Sequence, residues 1–318
     1  MMNIKTEDLK SQLNQLLQTE KELGVEYDDF MALMNICKEF LPLDHTSSTD
    51  VEKIWMQYRL NNLEQNEYRF QPELFTGFDE IIGQEHILEC IQNKGVFGTF
   101  HYGAYRYVAL ELIKLVKEHS SSLDVVVDTD SYESEKDLHK WNEIRKKADV
   151  NYIISEEHGS GLKLVRILKN RGNILLYLDG NTGSGEDSQP MFCDHITSSV
   201  NMRSGIYRLV SLLKKELCVI LADQPEPGYN RLIAYKPFAV SKSNIKEGVD
   251  QSYEFFRESL LHRPDLWRFW YRHHHYVENW QEIAANQDLA TPNIDWVEAE
   301  YGLGIDLRTG HMYETKTS

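Results

Sequence analysis

The stretch VFGTFHYGAYRY, residues 96–107, decides how the rest of the chain is read. An apolar run, 96–100, stops at His101, Gly103 follows, and from Ala104 the pattern turns to helical spacing. A short apolar run closed by a turn residue and followed at once by a helix-period segment is a buried strand feeding a helix. The same unit recurs on either side. Strands are expected at 95–100, 123–127, 152–154, 174–178 and 219–221, and helices at 104–118, 134–148, 159–171 and 203–216. Strands alternating with helices form βαβ units, so the expected class is α/β with a mostly parallel central sheet flanked by helices. In such sheets ligands sit beyond the carboxyl ends of the strands, which is where His101 falls.

Upstream, residues 5 to about 66 read as helices. Leu9, Leu13, Leu16 and Leu17 form one stripe, and Phe30, Leu33, Met34 and Cys37 a second. A third begins at Val51, behind the N-cap region 47–50. Downstream, a strand near 231–235 and a helix near 248–261 precede HRPDLWRFWYRHHHYVENW, 262–280. From about Asp288 no period is visible. The expected organisation is an N-terminal helical extension (1–90), an α/β core (91–285) and a C-terminal appendage (286–318).

The 318 residues are 41% hydrophobic and 11% aromatic, a globular composition. Basic residues number 34 and acidic ones 50, so the net charge is −16. That balance repels phosphate backbones and anionic headgroups, which argues against nucleic acid and polybasic membrane partners. With no apolar run near the roughly 20 residues needed to span a bilayer and no apolar leader, the expected location is cytoplasmic. Cys37, Cys90, Cys193 and Cys218 are widely spaced and form no CxxC pair, so reduced buried thiols are expected.

Several residues are candidates for chemistry, each with a plainer alternative. His101 at a strand end is either a base or a structural hydrogen-bonder. Small residues at Gly103 and Ala104 leave room for a substrate beside the imidazole. Asp179 ends a buried strand and opens the loop GNTGSG, 180–185, whose Gly183 and Gly185 either present N–H groups to an anion or make a turn. Glu156 and Glu157 precede the helix at 159–171 and suit a helix N-terminus. Asp128 and Asp130 form a DxD pair, as in metal-dependent nucleotide-sugar glycosyltransferases, or two acids in a turn. Arg203, opening the helix at 203–216, is a further candidate for substrate binding. His273, His274 and His275 are adjacent, and neighbours on a helix point roughly 100° apart, so the three cannot converge on one ion. No metal or redox cofactor is expected.

The order of these pieces resembles the bacterial lipid A biosynthesis acyltransferase family, the late lauroyl and myristoyl transferases related to lysophospholipid acyltransferases. The likeness runs over about residues 94–277. The family pattern is matched by Leu168, Lys169, Gly172, Asp179, Gly183 and Gly185, then by Phe192, and at its close by Pro264, Trp267, Trp270 and Arg272. The resemblance implies an acyltransferase that moves an acyl group from an acyl carrier protein or CoA thioester to a hydroxyl or amine. The acceptor would be a small or carrier-bound molecule, and His101 the base.

Two departures qualify that expectation. The family's signature places Asp or Glu after His and four intervening residues, and here the position is Arg106. A cation there opposes imidazolium formation. Three explanations stay open: a carboxylate from another strand end (Asp128, Glu156, Glu157 or Asp179) partners His101, an amine acceptor asks less of the base, or the chain is a non-catalytic acyl or carrier-protein binding module. Arg106 itself would bind an anionic part of the substrate or make a salt bridge. The N-terminus, polar where lipid A enzymes carry an apolar anchor, points away from lipid A toward specialised-metabolite or lipid assembly on soluble substrates. Lys163, Arg166, Lys169 and Arg171 are a candidate patch for an acidic carrier protein, or an ordinary solvated face.

Overall fold

Residues 3–136, 138, 143–144, 146, 150–170, 172–180, 191–280 and 291–315 are described by the structure, a computed structural model. Its helices are α1 (Asn3–Leu23), α2 (Tyr27–Phe40), α3 (Ser48–Phe70), α4 (Gln84–Gln92), α5 (Tyr105–Glu118), α6 (Thr129–Lys136), α7 (Ser160–Lys169), α8 (Gly205–Leu213) and α9 (Ile245–His262). The first five strands are β1 (Glu80–Ile82), β2 (Val96–Thr99), β3 (Leu123–Val127), β4 (Asn151–Ile154) and β5 (Asn173–Tyr177). They are followed by β6 (Met191–Asp194), β7 (Ser199–Met202), β8 (Glu216–Glu226), β9 (Tyr229–Ala234) and β10 (Phe238–Ala239). The last three are β11 (Trp296–Val297), β12 (Leu303–Asp306) and β13 (His311–Glu314).

One compact unit holds Gln65–Cys193 and Met202–Ser259. Its sheet runs β1-β9-β8-β2-β5-β3-β4, with β10 on β8. Only the β8–β9 and β8–β10 pairings are antiparallel, so the sheet is mostly parallel and the class is α/β. The central position of β2 follows from its composition: all four residues are buried, as a strand covered on both faces requires. Helix α5 turns Val108, Leu112, Ile113 and Val116 into the core and leaves Lys114 and Lys117 in solvent. Phe97, Leu175 and Cys218, with no exposed surface, share that core, and truncating such a leucine to alanine typically costs about 2–5 kcal/mol. Helix α8 stops at Leu213, three residues short of the expected 216. Lys214 there adopts a left-handed φ of 53° that ends the helix, and β8 begins at once, longer than the expected 219–221.

The second unit holds Met1–Glu64, Asp194–Asn201 and Leu260–Ser318. The helical N-terminus is as expected, and α3 is entered through a capping box in which Ser47 and Asp50 exchange backbone-to-side-chain hydrogen bonds. Arg59 of α3 grips Glu20 of α1 through both terminal nitrogens at 2.5 and 2.6 Å, and reaches Asp29 at 2.9 Å. Helix α2, buried nearly all round, packs along a 3₁₀ segment, Arg268–His275. The chain's end, where no period was visible, forms the antiparallel sheet β11-β12-β13. Trp296 of β11 meets Trp55 of α3 edge-on at 4.9 Å. The units therefore interleave in sequence instead of following the linear division 1–90, 91–285, 286–318. Residues 65–90 contribute β1 and α4 to the α/β unit, and the segments on both sides of it share one aromatic core.

Candidate active site

Strand pairing builds the site. The parallel register of β2 on β5 sets Val96 opposite Ile174 and Thr99 opposite Tyr177, a constant offset of 78 residues. Continued two residues past the strand ends, that offset brings His101 across from Asp179. The carboxylate accepts a hydrogen bond from His101 Nδ1 at 2.8 Å and from its backbone N–H at 3.0 Å. A carboxylate only accepts, so Nδ1 carries a proton, and in the neutral ring the lone pair is on Nε2. Both residues are buried, at 7% and 5% exposure. Within a low-dielectric setting a charge-assisted bond of this kind is short and strong.

Two tyrosines clasp the imidazole. Tyr177 stacks on it at 4.4 Å, and Tyr105 meets it edge-on at 4.8 Å. Burial, followed by Tyr105 and Glu135, pushes the Tyr177 phenol well above its ordinary pKa, so it stays protonated. The guanidinium of Arg106 lies over the Tyr105 ring at 4.6 Å and is ion-paired through Nε with Glu135 of α6 at 3.2 Å. Burial alone would push the Arg106 pKa down, yet Tyr105 and the Glu135 carboxylate hold it above its ordinary value. The cation that replaces the acid of the sequence signature is thus matched by a carboxylate of its own, and its field on His101 is offset.

No protein-family model matches this chain, and no curated protein matches it.

The remaining sequence candidates fall as follows. Asp128 is the N-cap of α6, where its oxygens accept the Ser131 N–H at 2.6 Å and the Ser131 hydroxyl at 2.8 Å. Glu156 reaches across to the same helix end, accepting the Thr129 N–H at 3.1 Å, the Thr129 hydroxyl at 3.2 Å and the Ser155 hydroxyl at 2.9 Å. Glu157 pairs with Lys163 at 2.6 Å. These acids are committed to helix ends and a surface pair. Gly103 answers a different need from the substrate room expected of it: at its φ of +54°, a Cβ would lie 2.1 Å from the Ala222 carbonyl oxygen of β8, so the bare backbone makes room for the neighbouring strand. Ala104 packs into the core. Arg203 is half-buried just ahead of α8. Gly183, Gly185 and Arg171 lie outside the described residues. Lys163, Arg166 and Lys169 are exposed on α7.

The closing motif belongs to the other unit. Trp270 Nε1 donates to the Pro264 carbonyl at 2.7 Å, Trp267 and Trp270 are buried, and Arg272 stacks on Phe269 at 3.4 Å. A surface cleft of about 620 Å³, lined by Asn93, Lys214, Lys215, Glu216 and Lys242, opens by the amino ends of β2 and β8, away from His101. Tyr105, Tyr177 and Glu135 stand outside the candidates that the sequence offers. Tyr177 was legible in principle, since residues two apart on a strand share a face and Asp179 is two residues on. Glu135 carried no such signal.

Proposed function

We propose that the α/β unit is an acyltransferase that moves an acyl group from a carrier-protein or CoA thioester to a hydroxyl or amine, with His101 as its base. One observation carries the reading: the Asp179 carboxylate on His101 Nδ1 at 2.8 Å, beyond the carboxyl ends of adjacent parallel strands. That is the orienting half of a base–carboxylate pair. It supplies from β5 the acid that position 106 lacks, and so supports the resemblance to the lipid A acyltransferase family despite that departure.

In the proposed step Nε2 takes the proton of the acceptor O–H or N–H as its oxygen or nitrogen bonds to the thioester carbonyl carbon. Asp179 steadies the imidazolium that forms. Collapse of the tetrahedral intermediate breaks the C–S bond, and the departing thiolate takes the proton back from His101. Arg106, whose buried Nη1 has no hydrogen-bond partner among the described residues, is the cation this reading assigns to an anionic portion of the donor. No described helix is long and apolar enough to cross a membrane. Four buried cysteines and soluble substrates fit a cytoplasmic setting. Asp128 accepts two hydrogen bonds at the start of α6, which favours the acyltransferase reading over the metal-dependent glycosyltransferase one built on Asp128 and Asp130.

The test is intact-mass spectrometry of acyl-loaded carrier protein and acyl-CoA, each mixed with alcohol and amine acceptors, for wild type and His101→Ala. Loss of the acyl group with wild type alone, and its recovery on the acceptor, is the expected result. Binding of the loaded carrier without turnover by either protein would replace this reading with that of a binding module.

A further inference from the structure

The unit built from the chain's two ends carries a second buried constellation that the proposed reaction does not use. Glu39 occupies the last turn of α2, His195 the bend between β6 and β7, and His273 the 3₁₀ segment Arg268–His275. Their exposures are 0%, 0% and 1%. One potential ligand atom from each lies within 4.8 Å of the other two.

Glu39 is in an awkward place for an acid. A carboxylate at a helix C-terminus opposes the helix dipole, and burial removes its water. Positive charge must therefore be supplied locally. His195, His273 and the Ser198 hydroxyl gather around that carboxylate. Its two oxygens have separate duties. Oε2 is fixed from behind by the N–H groups of Thr197 at 2.8 Å and Ser198 at 3.2 Å and by the Thr197 hydroxyl at 3.3 Å. Oε1 faces His273 Nε2 at 2.7 Å and the Ser198 hydroxyl.

We propose that Glu39, His195 and His273 form a binding site for a divalent transition-metal ion of the zinc type. Two imidazoles and one carboxylate are a borderline ligand set suited to zinc or its neighbours in the first row. An ion about 2.0–2.2 Å from one atom of each would join all three groups at once. The arrangement around Glu39, one oxygen anchored by backbone N–H groups and the other turned inward, is how outer hydrogen bonds orient a ligating carboxylate. His195 is walled by Trp267 at 5.3 Å and Trp270 at 5.7 Å, and His273 lies 4.4 Å from His195, which makes a dry lining. Complete burial marks the site as structural, a clasp between α2, the bend and the 3₁₀ segment. Of the three consecutive histidines only His273 takes part, consistent with the geometric impossibility of all three converging.

The experiment uses full-length protein purified without a histidine tag. After exhaustive dialysis it is refolded or titrated with Zn2+, and separately with Co2+ as a spectroscopic probe. The expected result is one retained equivalent by elemental analysis, visible Co2+ ligand-field bands of a low-coordinate N/O site, and a raised Tm that chelator reverses slowly. His195→Gln and His273→Gln should each weaken binding by more than about 100-fold, beyond what loss of an outer-shell partner costs. If Glu39→Gln fails to fold, the two histidine variants and the wild type still decide. Folded wild type that retains no ion, whether titrated or refolded with it, would overturn the proposal and leave a hydrogen-bonded hub. So would binding unchanged in both histidine variants, which would put the ion on surface histidines.

Discussion

Replacing Asp179 with asparagine keeps the side chain's shape and removes its charge. In the native site the carboxylate accepts from His101 Nδ1 at 2.8 Å and from the His101 N–H at 3.0 Å. An amide offers one acceptor oxygen, so the His101 N–H loses its 3.0 Å partner and keeps only the longer 3.3 Å contact to Oδ1, at about 1 kcal/mol of stability. The larger effect falls on the charged imidazolium. At 2.8 Å its attraction to a carboxylate is roughly 6 kcal/mol for an effective dielectric of about 20. Neutral imidazole already benefits from the same hydrogen bond, so only part of this reaches the barrier, and the transfer rate should fall by about 10²–10⁴-fold. The assay is acyl release from carrier-protein thioester by intact mass, with urea denaturation to confirm folding and 15N NMR of His101 to read its tautomer. Asp179→Asn that transfers as fast as wild type, in a folded protein, would refute the role assigned to the carboxylate.

Three further outcomes follow from the packing. Gly103→Ala should destabilise the protein by about 3 kcal/mol or more in urea titration, since its Cβ would meet the Ala222 carbonyl at 2.1 Å. Gly159→Ala, also left-handed but with nothing within 4 Å, should cost only about 1–2 kcal/mol. A double-mutant cycle of Arg106→Met and Glu135→Gln should give a coupling of about 1–3 kcal/mol, with Glu135→Gln alone the worse because it strands a mostly buried cation. Hydrogen bonds from the Arg308 side chain, helped by the N–H groups of Asn293 and Arg308, hold the Asp306 carboxyl down at about 2 against an ordinary 3.8. The unfolded chain therefore takes the proton first on acidification, so this stabilisation is full above about 3.8 and disappears as pH falls to about 2. Asp306→Asn should flatten that part of the acid-unfolding curve.

Local pattern determined a good deal. The run 96–100 ending at His101, the stripes of the N-terminal helices and the capping residues 47–50 each report a period or a cap, which neighbouring residues set among themselves. The α/β class and the position of His101 at a strand's carboxyl end were therefore legible. The identity of its partner was not, because four acids stood at equivalent strand ends and nothing local ranks them. Strand order does. β5 is the immediate neighbour of β2, whereas β3 and β4 stand two and three strands away, roughly 10 and 14 Å at about 4.8 Å per strand. Only Asp179 is within reach, and Asp128 and Glu156 were left to cap α6. The same holds for Glu39, His195 and His273, which lie far apart in sequence and meet because α2, the bend and the 3₁₀ segment pack in one core. A sequence records which groups a chain owns and the local periods that shape its elements, while which distant groups touch is fixed by the order and register in which those elements bury their apolar faces.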